Sequence, residues 1–221
     1  MIETRNLHKS YQAGDTQVDA LRGVSLKILP GEIVAITGPS GCGKSTLLHI
    51  LGALDTPTSG QAYLEGNPLH SLDDDKLTAI RRLKIGFIFQ FFHLLPTLTV
   101  EENVLLPLLL AGRVTPAART RARELLNSVQ LADRAHHRPH QLSGGQLQRA
   151  AVARALIHRP SVILADEPTG NLDSATSSIV IQLLTQLARH EKTTVVLVTH
   201  SELIAAAADR RIALVDGRIA P

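Results

Sequence analysis

The sequence holds a single cysteine, Cys42, which excludes an internal disulfide and a multi-cysteine zinc site. Its place inside a glycine-rich segment points to a reducing compartment, and so to the cytoplasm. Long apolar runs are missing too. None approaches the roughly 20 residues needed to cross a bilayer, and Pro107 interrupts the greasiest stretch, Val104 to Ala111. The N-terminal MIETRNLHKSY lacks an apolar core followed by a cleavage site, so no secretory leader is expected. Neither sign of charge is in excess: 23 Lys plus Arg against 20 Asp plus Glu leave +3, too small and too dispersed to indicate nucleic acid. A nucleotide or an acidic membrane surface fits equally well. No internal repeat, low-complexity stretch or long linker is present.

What remains is an ordinary globular composition, 44% hydrophobic and 19% charged over 221 residues. That length suits one large domain, or a core with a subdomain. Val24, Leu26 and Ile28 alternate with polar neighbours before the Pro30-Gly31 turn, so a β-rich layer opens the chain. Glu32 to Thr37 is a short apolar strand running into glycine-rich sequence, and Ser45 to Ala53 follows at helical spacing. Further strands are predicted at Gln61 to Glu65 and Ile85 to Phe89. Thr99 with Glu102 forms a capping box, and Thr115-Pro116 starts a helix that reads on to Ala132. Another helix follows Gly144. Strand Val162 to Ala165, helix Ser174 to His190 and strand Thr194 to Val198 restore parallel β/α alternation. A hairpin closes through Asp216-Gly217 between Arg211 to Val215 and Arg218 to Ala220.

The segment Gly38-Pro39-Ser40-Gly41-Cys42-Gly43-Lys44-Ser45-Thr46 satisfies the P-loop pattern G-x-x-x-x-G-K-[ST] between a strand and a helix, the context that confirms it. Its glycines let backbone N–H groups converge on one anion at a helix N-terminus. Lys44 would reach the β- and γ-phosphates, and the Ser45 hydroxyl would ligate Mg²⁺. The bland alternative is a glycine turn that matches by chance. Val162 to Glu167 is a buried strand ending in two adjacent carboxylates, costly unless a cation or substrate compensates them. Asp166 would hold Mg²⁺ through its water shell and Glu167 would polarise an attacking water as general base. Taken alone, such acids are more often helix N-caps or solvated turns. In Leu142-Ser143-Gly144-Gly145-Gln146, a serine and two glycines open a helix, giving a second set of free N–H groups and a hydroxyl suited to phosphate. A plain serine N-cap is the competing explanation.

With this last pentapeptide the sequence resembles the ABC ATPases, and the resemblance spans nearly the whole chain. It implies an α/β fold: a P-loop ABC ATPase core of mixed sheet with flanking helices and an N-terminal antiparallel β layer, plus a helical subdomain. Residues 1–221 are expected to form a single ABC ATPase domain, with 1–90 and 160–221 as the core and 91–159 as the helical subdomain ending in the signature segment. By the same resemblance, Tyr11 is the A-loop aromatic that stacks on adenine. Gln90 is the Q-loop glutamine that offers its amide oxygen to Mg²⁺. Asn171-Leu172-Asp173 is the D-loop, whose Asp173 reports one site to its neighbour. His200 is the switch histidine that contacts the γ-phosphate. The catalytic set is then Glu167, His200 and Lys44. ATP is contacted by Tyr11, the loop from Gly38 to Thr46, Gln90, Asp166 and Ser143, Gly144, Gly145 and Gln146, and the metal by Ser45, Gln90 and Asp166. Considered singly, Tyr11 is otherwise a half-buried packing residue, Gln90 a solvated glutamine and His200 a surface or core histidine. The cluster His136, His137 and His140 reads as a solvated loop and not a metal site.

The resemblance further implies a head-to-tail dimer, with ATP between the P-loop of one copy and the LSGGQ segment of the other. All four phenylalanines lie between Phe87 and Phe92. They are either a core strand ending in an apolar loop or a groove for the coupling helix of an integral membrane permease. The Gln90 neighbourhood, the downstream His93-Leu-Leu-Pro-Thr-Leu-Thr-Val and the short C-terminus resemble the lipoprotein-releasing and macrolide-efflux group of ABC ATPases. Leu147 departs from the polar residue that many relatives carry there. The expected function is an ATP-hydrolysing subunit that drives export, extrusion or lipoprotein release through a separate permease, from the inner face of the cell membrane. The alternatives are a soluble ABC ATPase acting on nucleic acid, for which the span from Gln90 to Leu142 leaves no room for a coiled coil, and a P-loop kinase or GTPase, against which LSGGQ counts.

Overall fold

The structure, a computed structural model, describes residues 2–14 and 16–220; Met1 and Pro221, the ends of the expected single domain, lie outside the described residues. Two sheets carry the fold. The first has the order β2-β1-β4-β5, formed by β1 (Ile2–Ala13), β2 (Thr16–Ile28), β4 (Ser59–Leu64) and β5 (Asn67–Pro68), all antiparallel. The second has the order β10-β9-β3-β8-β7-β6, formed by β3 (Ile33–Thr37), β6 (Ile85–Phe89), β7 (Val162–Asp166), β8 (Thr194–Val198), β9 (Arg210–Val215) and β10 (Arg218–Ile219). Every pairing in it is parallel except the β9–β10 hairpin.

The central strands β3 and β8 are buried at every position because both faces are covered. In β3 and β8 the side chains alternate between two cores. Ile33, Ala35, Val195 and Leu197 pack with the helices. Val34, Ile36, Val196 and Val198 pack toward the antiparallel sheet and α1 (Lys44–Leu51). The helices on the first side are α3 (Val100–Leu110), α4 (Pro116–Ser128), α5 (Gly144–Leu156) and α6 (Ser174–Glu191); α2 (Asp74–Lys84) and the one-turn α7 (Glu202–Ala205) complete the set. The expected capping box forms at Thr99 and Glu102, and Thr115 caps α4 with Pro116 at its first position. Helix α4 stops at Ser128, short of the expected Ala132, because Gln130 takes a left-handed conformation (φ 58°) and ends it.

Two close approaches lock the helices and sheets together. Gly86 of β6 lies under α5, where an added Cβ would sit 2.4 Å from the Ala155 carbonyl oxygen. Fully buried Asn103 of α3 holds the preceding loop, accepting from Leu95 N–H (2.7 Å) and donating to the carbonyls of Leu95, Leu98 and Thr99. Backbone atoms cannot yield at Gly86, so Gly86→Ala is expected to cost about 1–3 kcal/mol. Urea denaturation followed by circular dichroism should show the lower midpoint, and an unchanged midpoint would contradict this close packing.

Candidate active site

The parallel register sets the site. Phe89 pairs with Asp166, Asp166 with Val198, and Val198 with Ile36, so the carboxyl ends of β6, β7, β8 and β3 finish level with one another. Whatever follows these four strands is therefore delivered to one edge, where ligands bind open α/β sheets. Those next residues are Gln90, Glu167, Thr199-His200 and Gly38.

After β3 the chain curls through Gly38 (φ 152°), Gly41 (φ 78°) and Gly43 (φ 102°) into α1. Side chains are excluded at two of these points. A Cβ on Gly38 would meet the Leu214 carbonyl oxygen at 2.0 Å, and one on Gly43 the Ala20 carbonyl oxygen at 2.3 Å. The antiparallel sheet thus presses on the loop from one side and β9 from the other. Pro39, Ser40 and Gly41 are left exposed, while Cys42 is buried. Lys44 is buried and has no ion-pair partner among the described residues. Its Nζ folds back to donate to the carbonyls of Gly38 (3.0 Å) and Pro39 (2.8 Å) and lies 3.9 Å from Cys42 Sγ. A buried ammonium that rests on dipoles alone, beside the N-terminus of a helix, attracts an anion.

Ser45 Oγ donates to Asp166 Oδ1 (3.0 Å), joining the start of α1 to the end of β7. Burial pushes the Asp166 carboxyl above its ordinary value, opposed by the Ser45 hydrogen bond and His49 and assisted by neighbouring Glu167. Glu167 is left-handed (φ 45°). Its N–H still reaches Val198 O (3.0 Å), which carries the β7–β8 ladder one residue past the strand and holds the unfavourable conformation. His200 Nδ1 donates to Glu167 Oε1 (2.9 Å); the imidazole is largely exposed, so it can move.

Gln90 and Asn171 are joined twice, Gln90 Nε2 to Asn171 Oδ1 (3.2 Å) and Asn171 Nδ2 to Gln90 O (3.1 Å), which leaves the Gln90 amide oxygen free. Tyr11 sits 39% exposed beside α1. Its hydroxyl donates to Asp55 Oδ2 (2.8 Å), and Lys9 Nζ lies 4.8 Å from the ring centroid on one face only. Lys9 also pairs with Asp55 (2.6 Å), a Lys9–Asp55–Tyr11 bracket that the sequence did not suggest because the partners lie 46 and 44 residues apart.

Ser143 caps α5 in a box with Gln146: Gln146 N–H donates to Ser143 Oγ (3.4 Å) and Ser143 N–H to Gln146 Oε1 (2.9 Å). Gly144 and Gly145 pack against Leu172 and Thr176, and a Cβ on Gly145 would stand 2.4 Å from Thr176 Cγ2. No hydrogen bond among the described residues joins residues 143–146 to the loop 38–46. Asp173, expected to signal between sites, caps α6 by accepting from Thr176 N–H (2.9 Å). The structure thus gathers Lys44, Ser45, Asp166, Glu167, His200 and Gln90 around one sheet edge, with Tyr11 flanking α1, and leaves residues 143–146 outside that group.

A glycine loop between a parallel strand and a helix, facing paired carboxylates on the neighbouring strand, defines a P-loop nucleotide-binding domain. Residues 21–170 match the profile of the ABC transporter family, and the chain belongs to that family. It is 49% identical over 99% of its length to the lipoprotein-releasing system ATP-binding protein LolD of Geobacter metallireducens, covering 97% of that protein. It is 51% identical over the same share to the macrolide export ATP-binding/permease protein MacB of Bdellovibrio bacteriovorus, of which it covers 33%. Among solved structures, the dimeric bacterial ABC transporter cassette MJ0796 superposes with a TM-score of 0.91 at 48% identity, over 100% of this chain and 97% of that one. The same cassette has been solved in a post-hydrolysis state bound to ADP and Pi, again at a TM-score of 0.91.

The raised Asp166 carboxyl has a definite sign. Its stabilising contribution is fully present below the unfolded-state value of about 3.9 and is lost as pH rises through the higher folded-state value. Without nucleotide and Mg²⁺, Asp166→Asn should therefore raise the melting temperature at pH 7.5 relative to wild type and give no gain at pH 3.5. Asparagine can still accept from Ser45. Differential scanning fluorimetry at the two pH values checks this, and equal shifts at both would contradict it.

Proposed function

We propose that this chain is the ATP-binding and ATP-hydrolysing subunit of a membrane ABC transporter, working as a head-to-tail dimer on a separate integral membrane permease. The observation that carries it is the meeting of Lys44, Asp166, Glu167 and His200 at one sheet edge, while among the described residues no hydrogen bond joins residues 143–146 to the loop 38–46. Lys44 would leave the carbonyls of Gly38 and Pro39 for the β- and γ-phosphates, which the loop from Gly38 to Thr46 wraps. Ser45, Asp166 and Gln90 supply the hard oxygen donors that suit Mg²⁺, and the fit is supported by the Ser45–Asp166 contact and the free Gln90 oxygen. Bound there, Mg²⁺ would neutralise phosphate charge. Glu167 would take a proton from the attacking water, with His200 holding the carboxylate and turning to the γ-phosphate. Tyr11 would offer its ring to adenine.

Geometry supports the second copy. Gly144 and Gly145 open α5 with N–H groups that have no intrahelical acceptor, and with Ser143 and Gln146 they form a wall suited to phosphate but distant in hydrogen bonding from this chain's own loop. We take 1–90 and 160–221 as the core and 91–159 as the helical subdomain. The permease would dock near Phe87–Phe92. There Phe87 and Phe89 stack (5.6 Å between centroids) in a groove of about 430 Å³ closed by Leu106, Pro107 and Leu110 of α3. Phe91, 68% exposed, stands outside that groove. No helix among the described residues is long and apolar enough to cross a membrane, which agrees with a peripheral place on the inner face of the cell membrane. No nucleic-acid partner is expected.

Three measurements test the reading. Glu167→Gln should keep ATP affinity, lower turnover by about 10²–10⁴-fold, and elute as a dimer with ATP in size-exclusion chromatography; normal turnover would remove Glu167 as the base. Lys44→Ala should weaken ATP binding in calorimetry, and unchanged affinity would dismiss the loop as the phosphate site. Copurification of the tagged chain from detergent-solubilised membranes should recover an integral permease.

A further inference from the structure

Tyr11 is held by more than its place on β1. Its hydroxyl donates to Asp55 Oδ2 (2.8 Å), and the other carboxylate oxygen, Oδ1, accepts from Lys9 Nζ (2.6 Å) and from Thr56 N–H (2.7 Å). Lys9 Nζ also donates to Thr56 O (2.8 Å). An ammonium has three N–H groups, so one is left for the Tyr11 ring, whose centroid lies 4.8 Å away. The phenol is thereby fixed at its far end by a hydrogen bond and on one face by a cation. The face away from Lys9 carries no ring or cation contact among the described residues. Burial alone would raise the Asp55 carboxyl, but the hydrogen bonds from Lys9, Tyr11 and Thr56 N–H together take it below its ordinary value. Burial, assisted by the Asp55 hydrogen bond, pushes the Tyr11 phenol above its ordinary value, so it stays a neutral donor.

Asp55 is itself anchored. The N–H groups of Leu54 and Asp55 both reach His49 O (2.9 and 3.3 Å), which places the carboxylate at the C-terminal end of α1, the helix whose first two residues are Lys44 and Ser45. The loop that follows is laced to β1 on either side of Lys9: Thr58 N–H donates to His8 O (2.9 Å) and Ser10 N–H to Thr58 Oγ1 (3.0 Å). The side chains of Lys9 and Asp55 are 12% and 28% exposed, so water competes for this pair less than for a surface one. A ring carried by β1 is thus set against the helix that opens at the phosphate loop.

We propose that Lys9 and Asp55 are positioning residues for nucleotide binding, which hold the Tyr11 ring in the orientation that stacks on the base and fix its distance from the phosphate loop. The proposal rests on Tyr11 as the stacking residue and names the groups that act through it. With the hydroxyl engaged by Asp55 and one face covered by Lys9, the ring offers its other face to a ligand. A base on that face completes three layers of ammonium, phenol and base. Stacking on a ring already held loses less conformational freedom than stacking on one that binding must first immobilise. Because Asp55 belongs to the end of α1, the base platform and the start of the phosphate loop keep one spacing.

The test uses the full chain without Mg²⁺, so that no turnover occurs. The chain has two tyrosines and no tryptophan, and in a Tyr63→Phe background the fluorescence reports the Tyr11 ring alone. Asp55→Ala and Lys9→Met should each lower the anisotropy of that emission as the ring is released. In calorimetry both should raise the Kd for ATP about 2–10-fold and leave the Kd for inorganic triphosphate, which has no base, at the wild-type value. Tyr11→Phe keeps the ring and loses the hydroxyl, so Asp55→Ala should weaken ATP binding less in that background than in the wild type. Each variant is checked by thermal unfolding, and Lys9→Met carries the same test if Asp55→Ala does not fold. Unchanged anisotropy, unchanged ATP affinity, or equal losses for ATP and inorganic triphosphate overturn the positioning role. Tyr11→Ala tests the stacking reading separately: it should weaken ATP binding on the order of tenfold, and unchanged ATP affinity there overturns stacking itself.

Discussion

Four parallel strands in one register are the constraint on which the rest of the structure depends. Phe89, Asp166, Val198 and Ile36 stand level across β6, β7, β8 and β3, and Gln90, Glu167, Thr199-His200 and the glycine loop then leave the strands at the same edge. A slip of one residue would exchange the two faces of a strand. In β3 that would move Ile33 and Ala35 from the helical core into the core against the antiparallel sheet, and Val34 and Ile36 the other way. Because both faces are filled, the register is held by packing on two sides. The chemistry at the edge inherits that precision.

The edge is rigid on one side and adjustable on the other. The antiparallel sheet and β9 bring the carbonyls of Ala20 and Leu214 so close to Gly43 and Gly38 that the glycine loop has one available path. The remaining groups hang on side-chain contacts. His200 rests on Glu167 while largely exposed, and Gln90 is joined to Asn171 by two amide hydrogen bonds at the surface. Exposed contacts of this kind exchange easily with water or ligand. A glycine loop held on one path is thereby combined with side chains that can be rearranged.

Much of this was legible in the sequence because it is local. The glycine loop, the Thr99–Glu102 and Ser143–Gln146 boxes and the paired acids after β7 are each written within a few residues, and backbone chemistry translates them directly. Helix α2 was not read: charged residues dominate it at both ends, and Leu77 is the residue buried along it. The long β1 was read only as part of a β-rich layer, because register shifts near Thr4 to Leu7 and at Lys9 to Ser10 break its alternation. Lys9 and Asp55 were invisible for another reason. Each earns its place through a partner 46 residues away, which no spacing rule encodes.

Charge at the sheet edge also supports the proposed second copy. Bound ATP would bring several negative charges to an edge that already holds Asp166 and Glu167, and Lys44 is the buried cation this chain supplies there. One ammonium, one helix N-terminus and the Mg²⁺ proposed for Ser45, Asp166 and Gln90 would still leave negative charge unbalanced. The Ser143 helix carries a second N-terminus with open N–H groups, yet its glycines are packed against Leu172 and Thr176, and residues 143–146 make no hydrogen bond to the loop 38–46 among the described residues. Two copies arranged head to tail would place one such terminus over each nucleotide, so closure would depend on the charge of the γ-phosphate and weaken once that phosphate leaves. In that arrangement, charge balance at a sheet edge would couple hydrolysis to separation of two surfaces.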